Sequence, residues 1–140
     1  MKARILLSLF AVLPVLAIGD RPLDHSGQPQ VGRASYYAKL FAGRKMANGK
    51  PMRPESNNAA SPTLPLGTTA RVTNLENGRS AVVEIKDRGP YVDGRIIDLS
   101  PDTARALGML HRGVAMVEVV PLAVPQPDGS VKITPSQQAS

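Results

Sequence analysis

The sequence predicts a mainly β fold, a small barrel or sandwich. Three observations predict it. Short β-prone runs recur along the chain, and glycine and proline punctuate them at close intervals. One segment alone carries both a start and a stop signal for a helix. The chain has no cysteine, so neither a disulfide framework nor a thiolate metal site can hold the fold.

Residues 1–19 read as a secretory signal peptide. Lys2 and Arg4 form a short basic region, Ile5 to Ala17 is apolar apart from Ser8, and Ala17 and Gly19 offer cleavage points. The run is too short and wrongly flanked for a membrane anchor. Residues 20–31 (DRPLDHSGQPQV) are polar, hold two prolines and follow no period, and read as a flexible linker in which His25 is solvated.

The strands begin at Ala34–Tyr37. Thr68–Asn74 alternates and ends at a turn built on Asn77-Gly78, with Ser80–Lys86 as its hairpin partner. Arg95–Ile97 is a further short strand and Ala115–Val120 the last clear one. The helix follows Ser100, a good N-cap; Pro101 suits its first position and Asp102 its positive end, while Gly108 stops it. Residues 32–122 are therefore the compact domain. Residues 123–140 are expected to be a disordered tail, although Val131–Ile133 has the composition to pair across a turn at Asp128-Gly129.

The net charge of +6 falls to about +4 without Lys2 and Arg4. A mild excess in an exported protein suits an anionic wall polymer or a membrane surface, and equally serves solubility. The basic residues are dispersed and aromatics few, so nucleic acid is not the expected partner.

One acid stands out. Val83, Ile85 and Asp87 share one face of their strand if alternation persists. Asp87 then leaves the strand on the apolar side, where a partly desolvated carboxyl suits a general acid. The plainer reading makes it a turn residue that accepts hydrogen bonds from the Arg88-Gly89-Pro90 backbone.

Ordered motifs then carry a resemblance. Gly32–Ala38 (GRASYYA), Phe41–Gly49 (FAGRKMANG), Thr63–Thr68 (TLPLGT), Val72–Gly78 (VTNLENG), Asp87–Pro90 (DRGP) and Gly94–Ser100 (GRIIDLS) follow one another as in the RlpA (rare lipoprotein A) family. Ala104–Gly108 and Gly113–Val120 complete the pattern. The resemblance implies a six-stranded double-psi β-barrel with one or two short helices. It implies endolytic transglycosylase activity on peptidoglycan glycan strands outside the cytoplasm, in the periplasm or secreted, and division-site proteins as partners. Such enzymes cut the MurNAc-GlcNAc bond without water, leaving 1,6-anhydro ends, and need a well-placed carboxyl but neither metal nor cofactor. With no cysteine at a mature N-terminus, a lipid anchor is not expected.

The chain departs from that family pattern in one region. Lys50 stands where a Glu is expected, Arg53 where an Asp is expected and Ser61 where a His is expected. Arg does not give up a proton, and Lys does so only with a strongly depressed pKa. Asp87 is thus the expected catalytic residue, with Tyr37, Asn48, Lys50, Arg53, Ser61 and Arg88 as substrate-binding candidates. Asp98 matches a recurrent family position but, between a strand and a capped helix, reads as structural. Glu55 substitutes for the missing acid only if its proline-flanked loop is re-registered. Beside the enzyme stand two other readings. One is a glycan-binding barrel in which Lys50 and Arg53 hold wall carboxylates or phosphates. The other is a wall-loosening or partner-binding module of the expansin kind. The chain runs only briefly past residue 122, so the barrel itself is expected to bind the glycan.

Overall fold

A computed structural model describes residues 21–38 and 41–135, so the expected signal peptide lies outside the described residues. The described residues form β1 (Gln30–Tyr36), β2 (Asn58–Ala60), β3 (Thr69–Asn74), β4 (Ser80–Asp87), β5 (Arg95–Leu99), α1 (Pro101–Ala106), β6 (Ala115–Pro125) and β7 (Val131–Ile133). The strands pair in the order β1-β5-β2-β4-β3-β6, and β6 pairs again with β1. Six strands thus close into a barrel, with β7 added to the outer end of β6. β1 with β5 and β2 with β4 run parallel, and the other neighbours are antiparallel. Closure is how a small antiparallel-rich sheet removes its exposed edges. This is the six-stranded barrel with one short helix that the resemblance implies.

Alternation fills the interior. Ala70 and Val72 of β3, Val83 and Ile85 of β4, Ile97 and Leu99 of β5, and Val117 and Val119 of β6 all turn inward and are buried. β1 approaches β5 closely at Gly32. A Cβ placed there would meet Ile96 Cγ2 at 2.7 Å, so only glycine fits without displacing β5. The helix begins as expected, with Ser100 Oγ accepting from the Thr103 amide at 3.2 Å and Pro101 at its first turn. Its last carbonyl, that of Leu107, accepts from Asn74 Nδ2 at 2.8 Å and Asn77 Nδ2 at 2.9 Å. The β3–β4 turn thereby caps the helix, and Gly108 leaves it at φ +69°.

One strand has no signal in the sequence, and two expectations are corrected. The three-residue strand β2 reads only Asn-Ala-Ala, without β-branched or aromatic residues; pairing to β4 and β5 makes it a strand. The expected flexible linker is pinned down. The Asp24 amide donates to Thr63 O at 2.8 Å, Gln126 Nε2 to His25 O at 3.1 Å, and Lys132 Nζ to Ser26 O at 2.9 Å. The expected disordered tail is ordered as far as residue 135, because β6 runs on to Pro125 and β7 pairs with it. Thr134 then buries its hydroxyl against Pro121 O at 2.8 Å.

Ile85→Ala, at a fully buried side chain in the barrel's middle, is expected to cost about 2–5 kcal/mol. Gly32→Ala is expected to cost about 1–3 kcal/mol through the clash with Ile96. Urea unfolding followed by circular dichroism measures both, and a Gly32→Ala variant as stable as the parent would remove the close approach as a constraint.

Candidate active site

Asp87 is the last residue of β4, where the strand leaves the core. Its pairing with β2 skips a residue: Ala59 pairs with Ile85 and Ala60 with Asp87, so Lys86 is the extra residue of a bulge. Bulges re-aim side chains at the ends of barrel strands. Here Asp87 lines one concavity and Lys86 another.

The larger concavity is a groove of about 510 Å³ that holds Asp87, Asp98, Tyr37, Arg44 and Tyr91 among its lining. Three donors fix the Asp87 carboxyl. Tyr37 donates its hydroxyl to Oδ2 at 3.0 Å, and the Ala47 and Arg88 amides donate to Oδ1 at 2.8 Å each. The Asp87 carbonyl also accepts from the Ser61 amide at 3.1 Å. One residue therefore ties together the ends of β1 and β4, the loop after Phe41 and the loop after β2. The turn reading of Asp87 holds for its Arg88 contact, and the groove reading holds for its exposure beside Tyr37.

Tyr37 continues β1 and its ring meets Phe41 edge-on, with centroids 6.4 Å apart. Arg44 stacks its guanidinium over Phe41 at 5.5 Å. Burial, then the Asp87 charge, push the Tyr37 phenol well above its ordinary pKa, so it remains a donor at neutral pH.

Asp98 is a second carboxyl in the groove, and its hydrogen bond to Ser35 ties β5 to β1. The parallel β1–β5 register sets it beside Ser35, whose hydroxyl donates to Asp98 Oδ1. Burial raises its pKa, with the Asp87 charge adding to the effect, against the opposing Ser35 hydrogen bond and the Arg95 charge. Alternation held the signal: Ile97 and Leu99 face the core, so Asp98 between them faces away. What the sequence alone does not supply is that β1 and β4 bring their ends to the same place.

The other candidates divide. Tyr37 and Arg88 line the groove, but Arg88 Nη1 donates to Leu64 O at 2.7 Å and Ser61 O at 3.3 Å. Burial lowers the Arg88 pKa, against the Tyr91 and Asp87 charges, so its main contacts are structural. Ser61 is corrected. It is fully buried, and its Oγ accepts from the Thr63 and Leu64 amides at 3.1 and 2.9 Å, so it shapes a turn and meets no ligand. Asn48 is exposed and outside the lining of the groove; its Oδ1 accepts from the Lys50 amide at 3.0 Å, and its backbone amide donates to Lys86 O at 3.0 Å. Lys50 and Arg53 do not line the Asp87 groove; they line a smaller pocket with Lys86 and Asn58. Asn58 is fully buried there, and neither its Nδ2 nor its Oδ1 finds a partner. A buried amide left so costs about 1–3 kcal/mol.

A family model described as lytic transglycolase matches residues 30–119, which spans the barrel from β1 into β6. The chain belongs to the lytic transglycolase family. A Nostoc relative named "Probable endolytic peptidoglycan transglycosylase RlpA" is 53% identical over 90 residues, covering 63% of this chain and 24% of the relative. The "Endolytic peptidoglycan transglycosylase RlpA" of Pasteurella multocida is 49% identical over 96 residues, covering 69% of this chain and 33% of the relative. The chain thus spans about a quarter to a third of these relatives' length. Among solved structures, the Streptomyces papain inhibitor superposes with TM-score 0.53 at 30% identity over 67% of this chain and 96% of its own. An expansin of Clavibacter michiganensis superposes with TM-score 0.50 at 24% identity over 67% of this chain and 50% of its own, a likeness of fold. The lytic transglycolase family membership, the mainly β class and the closed six-stranded barrel agree with what the ordered motifs imply.

The raised Asp98 pKa fixes a pH dependence. The folded chain holds this proton where the unfolded chain has lost it. That contribution is therefore fully present below the ordinary carboxylate value, about 4, and is lost as pH rises through the folded value. Asp98→Asn cannot ionise and escapes the loss. In urea unfolding, the stability of Asp98→Asn relative to the parent should rise as pH increases above about 4; a difference that stays flat would contradict it.

Proposed function

We propose that this chain is a lytic transglycosylase acting on the glycan strands of peptidoglycan outside the cytoplasm, in the periplasm or secreted, with Asp87 as its catalytic residue. The observation that carries the proposal is the Asp87 carboxyl, fixed by Tyr37 and the Ala47 amide on the wall of an open groove. Family membership supports it, as do relatives named for that activity.

In the proposed reaction the Asp87 carboxylic acid gives its proton to the glycosidic oxygen as the bond to C1 breaks. The C6 hydroxyl of the same MurNAc then closes on C1, and Asp87 takes the hydroxyl proton. Asp87 ends as it began, no water is consumed, and the new end is 1,6-anhydro. A single carboxyl suffices for this cycle, unlike the paired carboxyls at fixed spacing that glycoside hydrolases use. Tyr37 and the Ala47 amide hold the carboxyl in one orientation through both proton transfers. Asp98, whose pKa burial raises, is a second acidic group in the same groove. Tyr37 and Tyr91 supply flat faces against which a sugar ring can lie.

A second reading has one observation in its favour. Lys50 and Arg53 stand where the family pattern carries acids, and they face a pocket of their own. That favours a barrel that binds glycan or loosens the wall without cutting it. Incubation of the purified chain with sacculi, followed by mass spectrometry, separates the two. Cleavage yields 1,6-anhydro ends, and Asp87→Asn is expected to lower their yield at least about 100-fold. Equal yields from parent and Asp87→Asn would remove Asp87 from the mechanism. Retention on sacculi with no such ends would establish the binding reading.

A further inference from the structure

The smaller pocket has features that the reaction at Asp87 does not use. It encloses about 140 Å³, too little for a sugar ring but enough for a charged substituent. Lys50, Arg53 and Lys86 line it, and no acid does. Among the described residues the ion pairs are Arg105–Asp102 and Arg112–Glu76, so none of the three cations is neutralised there. Backbone bonds hold them together. The Met46 amide donates to Lys50 O at 2.8 Å, the Asn48 amide to Lys86 O at 3.0 Å, and Lys45 bridges Pro51. Like charges gathered by a fixed backbone repel unless an anion lies among them. Asn58 lies beneath the pocket with its side-chain amide out of reach of solvent, so the pocket's accessible polar groups are the three cations and Ser56.

The pocket adjoins the groove. Met46 lines both, and Lys86 and Asp87 are neighbours in sequence. A polymer lying along the groove past Asp87 brings its substituents to the neighbouring concavity.

We propose that Lys50, Arg53 and Lys86 form an anion subsite that receives a carboxylate carried by the glycan bound in the Asp87 groove. The proposal rests on the reading that the barrel binds peptidoglycan glycan. Two groups on that polymer offer the chemistry: the lactyl carboxylate of a MurNAc without its peptide, and the free carboxylates of a stem peptide. The subsite makes the basic residues at positions 50 and 53 a device for substrate selection.

The test measures affinity of the purified chain for four preparations. These are glycan strands stripped of peptide, the same strands with every carboxylate converted to the neutral methylamide, and peptide-bearing strands with and without that conversion. Neutralisation should weaken binding at least about tenfold, as loss of a charge-assisted contact does. The source is the lactyl group if stripped strands show the loss, and the stem peptide if only peptide-bearing strands do. K50Q/R53Q, with its fold verified by circular dichroism, should shrink the loss, and K86Q gives the same readout if the double variant unfolds. Equal affinity for charged and neutralised strands overturns the subsite while leaving glycan binding intact. No affinity for any preparation overturns the glycan reading, and the subsite with it.

Discussion

The barrel depends on β1 being shared. This strand pairs in parallel with β5 on one side and antiparallel with β6 on the other, and its second role closes the sheet. The sharing requires close approach at Gly32, where any side chain would strike Ile96. The same parallel pairing carries Ser35 and Tyr37 to the rim, Ser35 against Asp98 and Tyr37 toward Asp87. Closure and the site are thus one constraint. The strand that seals the core also delivers the hydroxyls that fix both carboxyls.

The sequence makes legible whatever is decided locally. The β3–β4 hairpin follows from alternation and the Asn77-Gly78 turn, and the helix from Ser100, Pro101 and Gly108. What it hides is decided at a distance. Strand β2 has the composition of a loop and is held as a strand by β4 and β5. The segment before β1 lacks any periodic pattern and is ordered by acceptors and donors more than thirty residues away, at Thr63, Gln126 and Lys132.

The site divides along the same line. Asp87 and Tyr37 were reachable from alternation and motif order, and the structure brings them within one hydrogen bond. Motif position makes Ser61 a ligand candidate, but it is fully buried and its hydroxyl bonds first to the backbone two and three residues on. Asp98 was visible as a residue and not as a neighbour, since its environment comes from β1 and from the charge on β4.

The bulge at Lys86 has a consequence for how this barrel can vary. Because β2 passes over Lys86 in its register, two successive residues of one strand line two separate concavities, one that holds both carboxyls and one whose only charged residues are basic. A change that restored regular pairing would move the carboxyl and the ammonium together. The register of the short strand β2, poor as it looks, therefore fixes where both side chains lie.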